Sequence, residues 1–239
     1  AAWDKMVKHL DDELLARVMK VKRLTSTIVE VIVRAPLAAR KFQPGKFYRL
    51  QNFESLSPMV DGSRLSMEGL ALTGAWTDPQ RGLLSMIVLE MGGSSRLCAL
   101  LKEGEPVVVM GPTGTPTEIP HGGEAILLAG GGLGNAVLFS IGRALRAAGC
   151  PVVYFAGYRR KEDLFYVDEI EAAADQVIWS VDSGTAPEPR RPQDRAFVGN
   201  VVQAMVAYAE NRLGERTVDL HAVRRVIAIG SDRMMRAVK

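Results

Sequence analysis

Cysteine is nearly missing from this chain. The 239 residues hold two, Cys98 and Cys150, far apart and neither part of a C-x-x-C pair. That leaves no redox or metal motif built on thiolates, and each reads as a small buried thiol. Histidine is almost as scarce. His9, His121 and His221 are scattered with no second ligand at metal spacing, so surface or loop roles are expected and no metal site is. Neither a G-x-S-x-G elbow nor an H-E-x-x-H helix occurs, which argues against hydrolase chemistry. No stretch reaches about 18 uninterrupted apolar residues, so no membrane span is expected. The first residues also lack the layout of a secretory signal, and a cytoplasmic location follows as the expectation. Charge of one sign is lacking too. Thirty basic against 27 acidic residues leave +3, with no basic run interleaved with aromatics, so nucleic acid is not an expected partner.

What is present is enough apolar material, 47%, to bury a sizeable core, in a chain whose length suggests two domains. The chain opens Ala-Ala-Trp and stops at Lys239 inside a helical pattern over 232–239, which reads as a piece of a longer protein, truncated at its C-terminus. One stretch organises the rest: residues 124–145, EAILLAGGGLGNAVLFSIGRAL. Residues 125–129 form a short apolar run, as in a strand buried on both faces. From Asn135 the apolar positions Val137, Leu138, Ile141 and Leu145 follow helical spacing. Between them stand Gly130, Gly131, Gly132 and Gly134, with Leu133 the one side chain among them. Free N–H groups at a helix start, the helix dipole and missing Cβ atoms together suit a phosphate. A tight turn that only packs helix on strand remains the alternative.

Taken in order, residues 1–16 read as an amphipathic helix with apolar Met6, Leu10, Leu14 and Leu15, leading in over 1–17. β patterns follow at 18–33, 46–53, 70–76, 83–90 and 106–110, broken by turns such as Pro44-Gly45 and by a Ser-rich loop over 54–66. Pro36 closes the first of them, and one or two helical turns fit at 95–101. Close-spaced strands of this kind make a small antiparallel barrel or sandwich, here 18–120. Beyond Pro120 the rhythm changes to strands at 125–129, 151–158, 176–181 and 223–229, alternating with helices at 135–148, 163–173, 200–211 and from 232. That alternation predicts a doubly wound, parallel α/β domain over 121–239, with ligands at the carboxyl ends of its strands. The Pro- and Arg-rich stretch 183–195 reads as a mobile loop.

A β-barrel followed by strand, GGGLGNA and helix resembles the ferredoxin–NADP reductase superfamily of flavoproteins. Within it the chain is similar to the branch with the electron-transfer subunit of dihydroorotate dehydrogenase, the sulfhydrogenase gamma subunit and the small subunit of NADH-dependent ferredoxin:NADP oxidoreductase. Eight segments carry the resemblance in order: PGKFYRL (44–50), LALTGA (70–75), EMGGSSRLCALLKEG (90–104), GPTGTP (111–116), LLAGGGLGNA (127–136), FAGYRRKEDL (155–164), VDSG (181–184) and AIGSDRMM (228–235).

The resemblance implies FAD on the barrel and a nicotinamide nucleotide on the α/β domain. It places Leu72 and Thr73 at the flavin ring, although Leu70 stands where the family has an arginine for the pyrophosphate, with Arg49 or Arg64 as stand-ins. Gly93, Ser94, Ser95 and Arg96 fall at the FAD pyrophosphate segment, with helix capping by the serines as the competing explanation. Gly111 and Thr113 fall where the chain passes the flavin, which a simple turn explains almost as well. Gly130, Gly131, Gly132, Leu133, Gly134 and Asn135 fall at the nucleotide pyrophosphate, without the family's proline. Asp182 suits the two ribose hydroxyls of NAD(H), while Arg159, with Arg160 and Lys161, suits the extra phosphate of NADP(H); NAD(H) is favoured. Gly230, Ser231 and Met234 match the nicotinamide end, or else a helix cap and a core methionine. The implied activity is an FAD-dependent NAD(P)H oxidoreductase that passes electrons to an iron–sulfur centre or flavoprotein partner, with any 2Fe-2S cluster outside these residues and no catalytic acid or base. The alternative is a degenerate flavin domain kept as a scaffold or nucleotide sensor.

Overall fold

The computed structural model describes residues 2–239, in two compact units: one running to Thr117, the other Glu118–Lys239. The first begins with helix α1 (Ala2–Glu13), which buries none of its side chains. Its end is tied by the Arg40–Glu13 ion pair to a short helix that the sequence pattern does not signal, α2 (Pro36–Arg40). Pro36 does close the preceding strand, and it starts this helix because a proline's fixed φ and missing N–H cost nothing at a first turn.

Strands β1 (Ala16–Arg23), β2 (Ile28–Arg34), β3 (Phe47–Asn52), β6 (Leu70–Asp78), β7 (Leu83–Leu89) and β8 (Pro106–Thr113) close an antiparallel barrel in the order β1-β2-β7-β6-β3-β8. Its interior is filled by alternate residues, among them Val18, Val31, Tyr48, Leu50, Leu72, Leu84 and Met86. The Ser-rich stretch is not all loop, since β4 (Met59–Val60) and β5 (Ser63–Arg64) pair as a small exposed hairpin. The helical turns expected at 95–101 are α3 (Gly93–Leu97) and a 3-10 turn at Cys98–Leu100. Strand β8 does not stop at Met110 but carries Gly111 and Thr113 within it.

The second unit is a five-stranded parallel sheet, β12-β11-β10-β9-β13, of β9 (Ala125–Gly131), β10 (Val152–Tyr158), β11 (Gln176–Val181), β12 (Arg195–Val198) and β13 (Val223–Ile229). Helices α4 (Asn135–Ala147) and α5 (Val167–Ala172) pack together, as do α6 (Val201–Ala209) and α7 (Asp232–Val238). Near-continuous apolar runs in β9, β10 and β11 follow from burial on both faces. The stretch 183–195 departs from the expected mobile loop. Arg190 pairs with Asp168 and Glu171, Arg191 with Asp194, and the Asp194 carboxylate accepts the Val177 N–H at 2.8 Å, so its second half is strapped to α5 and β11 and feeds β12. Charged side chains that solvate a loop in sequence find partners only in three dimensions.

Candidate functional site

After β9, strands β10, β11 and β12 are laid on one side of it and β13 on the other. The sheet therefore reverses order between β9 and β13, and in open α/β sheets the carboxyl ends of the strands at such a reversal are where ligands bind. The glycine loop stands at that point, and its glycines do different work. A Cβ on Gly134 would lie 2.0 Å from the Ile229 carbonyl oxygen, one on Gly130 1.9 Å from Asn135 Oδ1, and one on Gly131 2.7 Å from Met234 Sδ. These three are glycine because backbone and side chains fill the space. Gly132 is the exception. It holds the left-handed φ of +52°, and nothing lies within 4 Å of where its Cβ would be. So the packing turn of the sequence alternatives accounts for Gly130, Gly131 and Gly134 but not for Gly132.

Asn135, expected to face a ligand, is fully buried. Its Nδ2 donates to the carbonyls of Gly132 (3.1 Å) and Gly157 (3.2 Å), and the Tyr154 hydroxyl donates to its Oδ1 (3.2 Å). Burial pushes the Tyr154 hydroxyl well above the ordinary tyrosine value, so it stays a donor. Leu133 is half-buried in the loop. At the next strand ends the Asp182 N–H donates to the Tyr158 carbonyl and the Ser183 N–H to the Arg159 carbonyl, which brings exposed Asp182 and exposed Arg159 side by side. Gly230 meets Gly131 backbone to backbone, and Met234 packs its sulfur over both. Ser231 Oγ accepts the Met234 N–H at 3.3 Å, so it caps α7.

On the barrel, Thr73 pairs with Phe47, and Phe47 pairs on its other side with Thr113. Two residues singled out in sequence thus share one rung, with an aromatic between them that was not singled out and that is 46% exposed. Leu72 points the other way, into the core, leaving only its backbone to the outer face. Arg49, two residues after Phe47 and exposed on the same outer face, has its Nε 3.3 Å from the Cβ position of Gly69. Arg64 is engaged by the Ser55 carbonyl at 2.6 Å. Nearby, Gly92 and Gly93 have open space where a Cβ would go. Ser95 Oγ accepts the Gly92 N–H (2.9 Å) and donates to the Gly92 carbonyl (2.9 Å), so it caps α3, while Ser94 Oγ accepts the Glu68 N–H (3.1 Å) and Arg96 is exposed. Gly111 is exposed beside Phe47, and a Cβ there would lie 2.9 Å from the Phe47 carbonyl.

Two cavities lie elsewhere: one of about 290 Å³ beside β12 and α6, lined by Phe197, Val198, Val202 and Val206, and one of about 320 Å³ beside β1, with Arg23 and Glu103 at its edge. Both cysteines are buried free thiols, and burial pushes Cys98 up to about 12. Among the described residues no cluster of His, Cys, Asp and Glu is arranged to hold a metal ion, and no helix is long and apolar enough to cross a membrane.

No family model matches the chain. A Thermotoga maritima protein named as a homolog of the dihydroorotate dehydrogenase B (NAD(+)) electron transfer subunit is 32% identical over 173 residues, 72% of this chain and 57% of that protein. An uncharacterized Rickettsia prowazekii protein, RP006, is 43% identical over 122 residues, 51% of this chain but 16% of its own length. The chain thus spans between about a sixth and three fifths of these curated relatives. Among solved structures, that of an NADH-dependent reduced ferredoxin–NADP oxidoreductase, described for flavin-based electron bifurcation, matches with a TM-score of 0.71 and 28% identity over 93% of this chain and 70% of that one. With its closed six-stranded barrel and reversing parallel sheet, the chain is similar to members of the ferredoxin–NADP reductase superfamily, in the branch of the dihydroorotate dehydrogenase B electron-transfer subunit and the NADH-dependent reduced ferredoxin–NADP oxidoreductase.

Proposed function

We propose that this chain is the flavin- and nicotinamide-binding part of an electron-transfer oxidoreductase. The observation that carries the reading is Gly132: left-handed, unobstructed, at the strand end where the sheet reverses, and so a place where main-chain N–H groups meet a diphosphate. Glycines 130, 131 and 134 bring helix, loop and β13 close enough for that approach. Asp182 accepts hydrogen bonds from the two ribose hydroxyls of NAD(H) and repels an added phosphate, and Arg159 beside it softens that discrimination, so NAD(H) is preferred over NADP(H) without being exclusive. Met234 gives the nicotinamide end an apolar floor.

On the barrel, the Thr73 hydroxyl and the backbone at Leu72 orient the flavin ring, with Phe47 and Thr113 completing the rung and Gly111 admitting close approach. Open Gly93 and the cation of Arg96 meet the FAD pyrophosphate, Ser94 and Ser95 shape that turn, and Arg49 supplies the charge that Leu70 does not. FAD held there would supply the redox chemistry, hydride acceptance from a reduced nicotinamide and release of electrons one at a time. The chain's part is to hold and orient both groups, which needs no acid or base of its own. The acceptor, an iron–sulfur centre or a flavoprotein partner, lies in another domain or subunit. The two free thiols suit the reducing cytoplasm.

Protein loaded with FAD should show flavin absorbance that bleaches on adding NADH, and more slowly with NADPH. Absence of both bound flavin and bleaching overturns the proposal. Leu70, which packs against the barrel core, favours a second reading as a nucleotide sensor. Calorimetry separates the two, since nucleotide binding without FAD binding supports the sensor.

A further inference from the structure

Asn135 begins α4 with its side chain turned inward and fully buried. Both its backbone N–H and its Nδ2 reach the Gly132 carbonyl, and Nδ2 also spans to the Gly157 carbonyl at the end of β10. Gly130 makes this possible, because the room its Cβ would take is filled by Asn135 Oδ1. The Tyr154 hydroxyl, donating to that Oδ1, decides which end of the amide faces the carbonyls. In a planar trans peptide the C=O and the following N–H point in opposite directions. Holding the Gly132 carbonyl inward therefore turns the Leu133 N–H the other way, away from Asn135. A left-handed glycine is the residue most free to let that peptide flip.

We infer that Asn135, braced by Tyr154, is a positioning residue that locks the Gly132–Leu133 peptide with its N–H toward the diphosphate of the nicotinamide nucleotide. This rests on the reading of the glycine loop given above. It differs from a ligand contact, since Asn135 touches no ligand, and from a packing role, since its bonds constrain one peptide plane of the cradle.

The test compares two hydride donors on FAD-loaded protein: NADH, and 1-benzyl-1,4-dihydronicotinamide, which has the reactive ring but no phosphate. The ratio of their kcat/KM values for flavin reduction isolates what the diphosphate contributes. Asn135→Ala should lower that ratio about tenfold through KM for NADH, as expected when a well-aimed donor is set loose. Tyr154→Phe, which keeps both Nδ2 bonds and serves if the first variant does not fold, should lower it about threefold. An unchanged ratio in folded variants, or equal losses with both donors, overturns the inference and leaves Asn135 a structural residue. Wild-type protein that uses the two donors equally well overturns instead the assignment of the loop to a diphosphate, and this inference with it.

Discussion

Two glycine-bearing turns of this molecule, one on the barrel and one on the sheet, are built on opposite principles. Gly92 and Gly93, on the barrel, are surrounded by open space, whereas Gly130 and Gly134, on the sheet, have neighbouring atoms at 1.9 and 2.0 Å from where a Cβ would go. In the first place a side chain would meet nothing, and in the second its absence lets the protein approach itself. Gly132 unites the two, standing in the packed loop with the open surroundings of the barrel pair. One residue type in one kind of motif thus carries two physical roles, and only the neighbours separate them.

The strongest way to break this contrast is Gly134→Ala. The added methyl meets the Ile229 carbonyl, an unyielding backbone atom, so a loss of about 3 kcal/mol or more is expected, read as a fall in the melting temperature of the α/β unit. An unshifted melting curve would show that the loop has room the contrast denies it. Gly132→Ala sharpens it: space is free and only the left-handed φ is strained, for about 1 to 2 kcal/mol. The fold should survive while NADH affinity, measured by calorimetry, falls further than stability does. Gly93→Ala is the converse on the barrel. It should leave stability unchanged or raise it by up to ~0.5 kcal/mol, yet weaken FAD binding about fivefold, and equal FAD affinity would remove the open turn from the flavin site.

The smallest effect concerns charge. Arg23 holds Glu90 at 2.5 Å, next to the barrel turn, and that hydrogen bond lowers the Glu90 carboxyl below its ordinary value of 4.5. A carboxylate lowered on folding adds stability above its unfolded value and loses it as pH falls through the folded one. Arg23→Gln should therefore give a slightly lower urea midpoint at pH 7 and no difference near pH 2. A gap that persisted in acid would mean that Arg23 acts by packing its stem.

Patterns with a short period were legible in the chain. β-branched residues and turn signals placed the barrel strands, although the first two, β1 and β2, read as a single stretch over 18–33. An apolar run placed β9, strand–helix alternation placed β10, β11 and β13, and helical spacing placed α4 within a few residues. Elements held by distant partners were not. β12 is four residues long and gains its place from Arg191, Asp194 and Gln176, whose bonds reach across loops. The candidate site divides in the same way. Gly132 and Asp182 stand out, the first as part of a run of glycines and the second by its place at the end of the third parallel strand, both of which the order of residues reports. Phe47 and Arg49 do not, because their place beside Thr73 depends on the pairing of β3 with β6, which no local pattern reports.

By itself the amino-acid order determined the architecture, a barrel followed by a reversing parallel sheet, because hydrophobic periodicity and glycine spacing are local and are felt by every short segment. Which glycine stays open, which way Asn135 turns and what stands beside Thr73 were decided only by tertiary structure. Each depends on atoms tens of residues away, and excluded volume and hydrogen bonding act through distance in space, not along the chain.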